Sequence, residues 1–316
     1  MMKQLWKLLP LGIVIIGVCS VLGYFGRWQQ WLELANHFRL QYLLGALLLL
    51  LLLLIGKRWR WSIVAAAFVT LNAVHILPWY FASSTTAAVA GQRLKLLQSN
   101  VKYSNREYDR LFSYVQEEAP DIVTLSEIDQ AWADALTMLK ATYPYAQVEP
   151  SATGSGLALF SKIKLESTAR ENLGLIWRPG IHATFNLAGR LVHLVTIHPP
   201  TPTEPPNYVA RNAQFAAVVQ RMNELPAPKI LIGDFNDTVW SSYHAEMLRQ
   251  TGLVNVRKGY GLLPSWPAWL GIAPLMIPID HCLVSPDVEV LSVRSGKNIG
   301  SDHLPLVVEL AVPPQK

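Results

Sequence analysis

The chain has 316 residues, 51% of them hydrophobic, with a mean hydropathy of +0.23, which is more apolar than a purely soluble protein is built. Its net charge of +5 is local: residues 1–81 hold seven Lys and Arg against one Glu, net +6, and the remainder holds 20 against 21, net −1. The near-neutral remainder excludes the broad basic surface of a tight duplex-DNA binder, and Cys19 and Cys282 are too few and too separate to support a disulfide framework.

No residue is charged from Leu8 to Gly26, from Leu40 to Gly56, or from Trp61 to Gln92. Each window holds the ~20 apolar residues that cross a bilayer. The run LLGALLLLLLLLIG lacks the polar stripe of a soluble core helix. The first window has the Lys3 and Lys7 flank of a signal peptide, but two further spans follow it, so it is read as an uncleaved anchor. A lipoprotein signal at Cys19 is disfavoured by the bulky Val18, and Cys19 is read as a packing residue. Lys3 and Lys7 precede the first span and Lys57, Arg58 and Arg60 follow the second, whereas the loop between them carries Arg27, Arg39 and Glu33. The positive-inside tendency therefore puts the N-terminus in the cytoplasm and everything after about Ala82 outside. His75 is expected at the membrane interface, beside Pro78, Trp79 and Tyr80. Residues 1–82 are expected to form the membrane segment and 83–316 one catalytic domain.

Downstream, LKLLQSNV, IVTLSEI, GLALFSK, LVHLVTIH, KILIGDF, DHCLVS and LPLVVEL read as strands. REYDRLFSYVQEEA and VARNAQFAAVVQRMNEL place apolar residues three and four apart, as helices do. Strands dominate and helices interleave irregularly, which predicts an α/β fold of two packed sheets flanked by helices.

Polar residues recur at the strand ends. Asn100 closes LLQSN, Glu127 follows IVTLS, His198 follows LVTI, Asp234 and Asn236 close ILIGDFN, and Asp280 and His281 sit in PIDH, with Asp302 and His303 in GSDH. One such residue is an ordinary cap or turn former; the set is not. Carboxylates and carboxamides suit Mg²⁺ or Mn²⁺, and the absence of paired Cys and of HExxH argues against zinc.

The ordered set QxN, SE, HP, GDFN, IDH and GSDH, from about Leu94 to Leu310, resembles the endonuclease/exonuclease/phosphatase superfamily. That resemblance implies a four-layer α/β sandwich with mostly antiparallel sheets and divalent-metal-dependent cleavage of phosphate esters. It implies a metal site at Glu127 with Asn100 beside it, and Asp302 as a further metal-side carboxylate. Asp280 resembles the group that orients His303, which contacts the scissile phosphate or the attacking water. Asp234 resembles the residue that positions or deprotonates that water, Asn236 a residue holding it or a phosphate oxygen, and His198 a donor to the developing phosphorane. Many nuclease members carry an acidic residue where this chain has Lys102, which is read either as a phosphate ligand that weakens a second metal site or as a solvated loop residue. Arg211 and Gln214 are read either as substrate contacts or, in preference, as residues on a helix surface, and His281 and Cys282 are expected in packing.

The function expected is that of an integral, multi-pass enzyme of the bacterial inner-membrane type, hydrolysing a phosphate ester of an amphiphilic or lipid-linked substrate outside the cytoplasm. A nuclease on the same scaffold is the alternative, with nucleic acid not favoured; a catalytically dead binding module would need to lose a key polar position, and all are present. The charge-free segment Gly259–Ile279 carries Trp266, Trp269, Ile272 and Leu275. It reads either as core or as an apolar rim suited to a bilayer interface.

Overall fold

The computed structural model describes residues 2–81 and 91–315; the boundary expected at 82/83 lies outside the described residues. α1 (Met2–Leu22), α3 (Arg39–Ile55) and α4 (Trp59–Ile76) are long and apolar enough to cross a membrane. They pack on one another through Leu9, Ile13, Leu53 and Ala65. The segment joining the first two is not a bare loop: it forms a short helix, α2 (Gln30–Leu34), capped by the Gln29 side chain, and then a 3-10 turn at Ala35–Phe38.

The rest is built in chain order from β1 (Gln92–Asn100), α5 (Tyr108–Glu118), β2 (Ile122–Ser126), α6 (Gln130–Ala135), β3 (Tyr145–Glu149), β4 (Leu157–Ser161), β5 (Leu165–Glu171), β6 (Gly180–Leu187) and β7 (Arg190–Ile197). There follow α7 (Pro205–Glu224), β8 (Lys229–Asp234), α8 (Ser242–Thr251), β9 (Val254–Asn255), β10 (Asp280–Val284), β11 (Glu289–Ser295) and β12 (Leu306–Val312). The strands form two six-stranded sheets, ordered β11-β12-β1-β2-β4-β3 and β5-β6-β7-β8-β10-β9. Each sheet is antiparallel except for one central parallel pair, β1 with β2 and β7 with β8.

Alternating side chains of both sheets, among them Leu94, Leu96, Leu159, Phe185, Leu194, Ile232 and Val308, interdigitate to make the central core. The opposite face of the first sheet, with Leu97, Val123 and Leu125, packs on Leu111 and Val115 of α5 and Trp132 of α6. The opposite face of the second, with Val195, Ile197 and Leu231, packs on Phe215, Val218 and Met222 of α7 and Met247 of α8. Period-two apolar faces on strands and one apolar stripe on each helix thus give the four layers.

The three long apolar helices are docked onto this sandwich. Ile76 and Leu40 pack against Val239, Trp240 and Leu262. The Gln30 amide donates to the Pro202 carbonyl at 2.7 Å, the Tyr208 hydroxyl donates to the Gly26 carbonyl at 2.9 Å, and the Trp240 indole donates to the His75 carbonyl at 3.1 Å. His75 itself meets the Tyr24 hydroxyl at 2.5 Å. Arg211, fully buried on α7, donates to both oxygens of Glu33 at 2.6 Å and lies 3.5 Å from Asp237. The helix-surface position expected for Arg211 and Gln214 is therefore corrected: both side chains are buried, because the inter-span segment covers that face of α7 and because the Gln214 amide donates to the Arg178 carbonyl at 2.6 Å.

Candidate active site

In both parallel pairs the strands end together: Asn100 lies opposite Ser126, and Ile197 opposite Gly233. Residues just past these four ends meet where the edges of the two sheets face each other, the place where parallel strands present ligand groups. Close approach there is enforced by Gly233, at φ 150°, since a Cβ would lie 2.0 Å from the Ile197 carbonyl oxygen. Glu127 and Asn236 take positive φ of 65° and 50°, a conformation uncommon away from glycine that concentrates at functional sites.

Asp234 is the centre of the cluster. Its Oδ2 accepts from the Asn100 amide at 3.0 Å and lies 3.5 Å from His198 Nε2 and 3.7 Å from His303 Nε2, while its Oδ1 accepts from the Asn236 backbone amide at 2.9 Å. Burial raises its pKa to about 7, against the opposing charge of His303. Asp280 lies opposite Asp234 in the β8–β10 ladder and accepts from His303 Nδ1 at 2.8 Å. Burial alone would lower the His303 pKa; the Asp280 and Asp234 carboxylates outweigh it and lift it to about 10, so the ring is an imidazolium with Nε2–H turned toward Asp234. His198 is held well below the usual histidine range by burial and by the charges of Arg178 and His303. Arg178 Nη1 lies 3.1 Å from His198 Nδ1. A guanidinium can only donate, so Nδ1 is the acceptor and the proton of the neutral ring sits on Nε2.

Glu127 accepts from the Asn100 amide at 2.9 Å and from the Tyr103 backbone amide at 3.0 Å. The Asn100 oxygen accepts from the Lys102 amide, so this side chain ties Glu127 to Asp234 rather than turning its oxygen toward a cation. The Lys102 ammonium, on a partly exposed side chain, sits 3.7 Å from Asp302 Oδ2. The Asn236 amide donates to the Pro199 carbonyl at 2.9 Å and its oxygen accepts from Thr201.

Among the described residues, two buried trios bring ligand atoms within 4.8 Å: Asp234, Asp280 and His303, and Glu33, His37 and Asp237. The first already contains the protonated His303 and the second encloses Arg211. Glu127 and Asp302, oxygen donors on the wall of the cleft, fit a hard divalent cation better by their chemistry.

The cleft has a volume of about 340 Å³. Besides Glu127, Asp234, Asn236, Asp302 and His303, its wall includes Trp266, Ile277 and Ile279, and Leu34, His37 and Phe38 of the inter-span segment. His281 and Cys282 are fully buried, the former with Nε2 2.8 Å from the Asp237 carbonyl. Sequence reasoning missed Arg178, which stands alone in the loop LIWRPG with no motif around it. It also missed Leu34, His37 and Phe38, the three cleft residues from the segment between α1 and α3, in a stretch whose flanking charges are Glu33 and Arg39.

The endonuclease/exonuclease/phosphatase family model matches residues 97–303. Curated protein sequences gave no match. The fold is similar to that of D. rerio TDP2 in its complex with a single-strand DNA product (TM-score 0.59, 18% identity, 70% of this chain and 99% of that one). It is also similar to an endonuclease/exonuclease/phosphatase from Bacteroides vulgatus (0.57, 16%, 70% and 99%) and to the human Nocturnin catalytic domain with bound sulfate (0.55, 19%, 71% and 96%). With its match spanning most of the chain and every strand end of the two parallel pairs contributing to one polar cleft, this chain belongs to the endonuclease/exonuclease/phosphatase family.

Proposed function

We propose that the chain is a membrane-anchored, divalent-metal-dependent phosphoesterase that hydrolyses a phosphodiester of an amphiphilic or lipid-linked substrate, with the catalytic domain outside the cytoplasm. Metal-dependent phosphoester cleavage is the chemistry of the family. The observation that carries the finer reading is the composition of the cleft: its wall combines the polar group of Glu127, Asp234, Asp302 and His303 with Leu34, Phe38 and Trp266, two of them from the segment between α1 and α3. The neighbouring stretch exposes Trp269, at 71%, with Ile272 and Leu275, and is tied to α3 by the Gln41 amide, which donates to the Pro274 carbonyl. Met276, Ile277 and Ile279 of the same stretch are buried, so it serves both as core and as rim.

Glu127 and Asp302 would hold a divalent ion, with Asn100 fixing Glu127, and the ion would offset charge on the phosphoryl oxygens. Asp234, with its raised pKa, takes the proton of a water aligned for in-line attack on phosphorus. The imidazolium of His303, fixed by Asp280, and the Nε2–H of His198 donate to the phosphoryl oxygens as negative charge builds on them. Asn236, anchored at Pro199, holds the water or an oxygen of the phosphate. The bond from phosphorus to the leaving oxygen breaks and that oxygen takes up a proton, balancing the one Asp234 took from the water, to give a phosphomonoester and an alcohol.

The test uses the full-length protein in detergent with Mg²⁺ and with chelator, on dispersed phospholipid, bis-p-nitrophenyl phosphate, and single- and double-stranded DNA. Glu127→Ala and His303→Ala are each expected to lower turnover at least ~100-fold with the protein still folded. Near-full activity of Glu127→Ala at low Mg²⁺ sinks the site assignment. Trp266→Ala combined with Trp269→Ala is expected to depress turnover of phospholipid more than that of the soluble diester. The nuclease reading is favoured by the fold shared with TDP2, whose structure holds a DNA product. Efficient cleavage of DNA with none of lipid decides for it.

A further inference from the structure

A second cavity, of about 620 Å³, lies where the ends of all three long helices meet the catalytic domain. Tyr24 follows α1, Arg39 begins α3, and Val74 and His75 belong to the last turn of α4; Val239 and Trp240 close it from the domain side. None of Glu127, Asp234, Asn236, Asp302 and His303 lines it, so it is separate from the cleft.

Its distinctive group is Arg39. The side chain is only 2% exposed, its Nε donates to Asn36 at 2.7 Å, and its guanidinium lies 4.6 Å over the Tyr24 ring. Nη1 is buried without a hydrogen-bond partner among the described residues, and no carboxylate forms an ion pair with it there. Arg211, buried to the same degree, has Glu33 and Asp237. A buried cation without a counter-charge is costly, and an anion in the cavity is the direct remedy. Lys258 is a second positively charged residue of the lining.

The rest of the lining is mostly apolar, with Val74, Pro78, Val239, Leu248, Leu253 and Val254, and its space exceeds what a bare anion fills. Exposed Trp28, Trp31, Leu77 and Tyr80 surround the helix ends, as aromatic residues do at a membrane surface. We propose that this cavity binds one anionic phospholipid of the bilayer, its phosphate on Arg39 and Lys258 and an acyl chain along Val74 and Val254. The proposal does not depend on the phosphoesterase reading.

The test places the full-length protein in bilayer discs of phosphatidylcholine alone or mixed with phosphatidylglycerol, extracts it into mild detergent, and counts retained lipids by native mass spectrometry. Wild-type protein is expected to keep one phosphatidylglycerol, in preference to phosphatidylcholine, and inorganic phosphate is expected not to displace it. Arg39→Gln should reduce that retention about tenfold, the equivalent of about 1.4 kcal/mol. Ala245→Trp fills the same cavity from the exposed side of α8 with Arg39 intact, and should expel the lipid equally. It decides the matter alone if Arg39→Gln does not fold. Retention unchanged by Ala245→Trp, equal retention of the two lipids, or displacement by phosphate overturns the proposal.

Discussion

Asp280 and His303 show how far single residues can be read in advance. Each was visible at a strand end, but their relation depends on the β8–β10 register, which sets Asp280 beside Asp234 and within 2.8 Å of the imidazole. Asp280→Asn keeps the shape and removes the charge that, with Asp234, raises the His303 pKa. We expect turnover to fall roughly 10- to 100-fold and the alkaline limb of the rate profile to move to lower pH. A rate–pH profile with an unmoved limb shows that His303 does not act through Asp280. Arg178 and Arg211 were illegible for a common reason: the partners of both are set by tertiary packing, with Glu33 178 positions from Arg211. Glu171 offers a separate test by pH. Burial would raise its pKa, but hydrogen bonds from His182 and Arg221 outweigh this and hold it at about 2, below the unfolded value of about 4.3. Its contribution is therefore present above the unfolded value and lost as pH falls toward 2. Glu171→Gln is expected to lower the thermal midpoint by a few degrees at about pH 6 and by progressively less toward about pH 2; a pH-independent difference contradicts this.

Among the elements, the legible strands are interior ones, β1, β2, β4, β7, β8, β10 and β12, which are buried over most of their length and carry apolar runs such as LALF in β4 and LVV in β12. The strands that went unread include all four sheet edges, β3, β5, β9 and β11. There one edge meets solvent and the sequence turns polar, as in LESTARE. β6 was also unread, because His182 and Thr184 interrupt its apolar pattern. The parallel pair β7–β8 is the element on which the site depends most. Gly233→Ala forces a Cβ onto the Ile197 carbonyl at a φ closed to alanine. A loss of roughly 3 kcal/mol or more is expected in chemical denaturation, together with loss of turnover. A variant within ~0.5 kcal/mol of the parent contradicts the claim that this close approach is required.

For the whole molecule, the three long apolar helices were plain from charge-free windows, whereas the docking of the inter-span segment on the catalytic domain was not, since it rests on pairs such as Glu33 with Arg211. A reporter active only outside the cytoplasm, fused after Lys316, is expected to work and one active only inside to be silent; the opposite pattern reverses the orientation. The Glu33–Arg211 pair adds a constraint of parity. Gln30–Phe38 touches the catalytic domain, so if α3 and α4 cross a bilayer they must do so as a pair that returns the chain to the same side. A chain in which one of those helices failed to insert strands Glu33 and Arg211 on opposite sides, each a charge prepared for burial and left without its mate. An odd number of crossings between the two partners is therefore incompatible with the docking seen here.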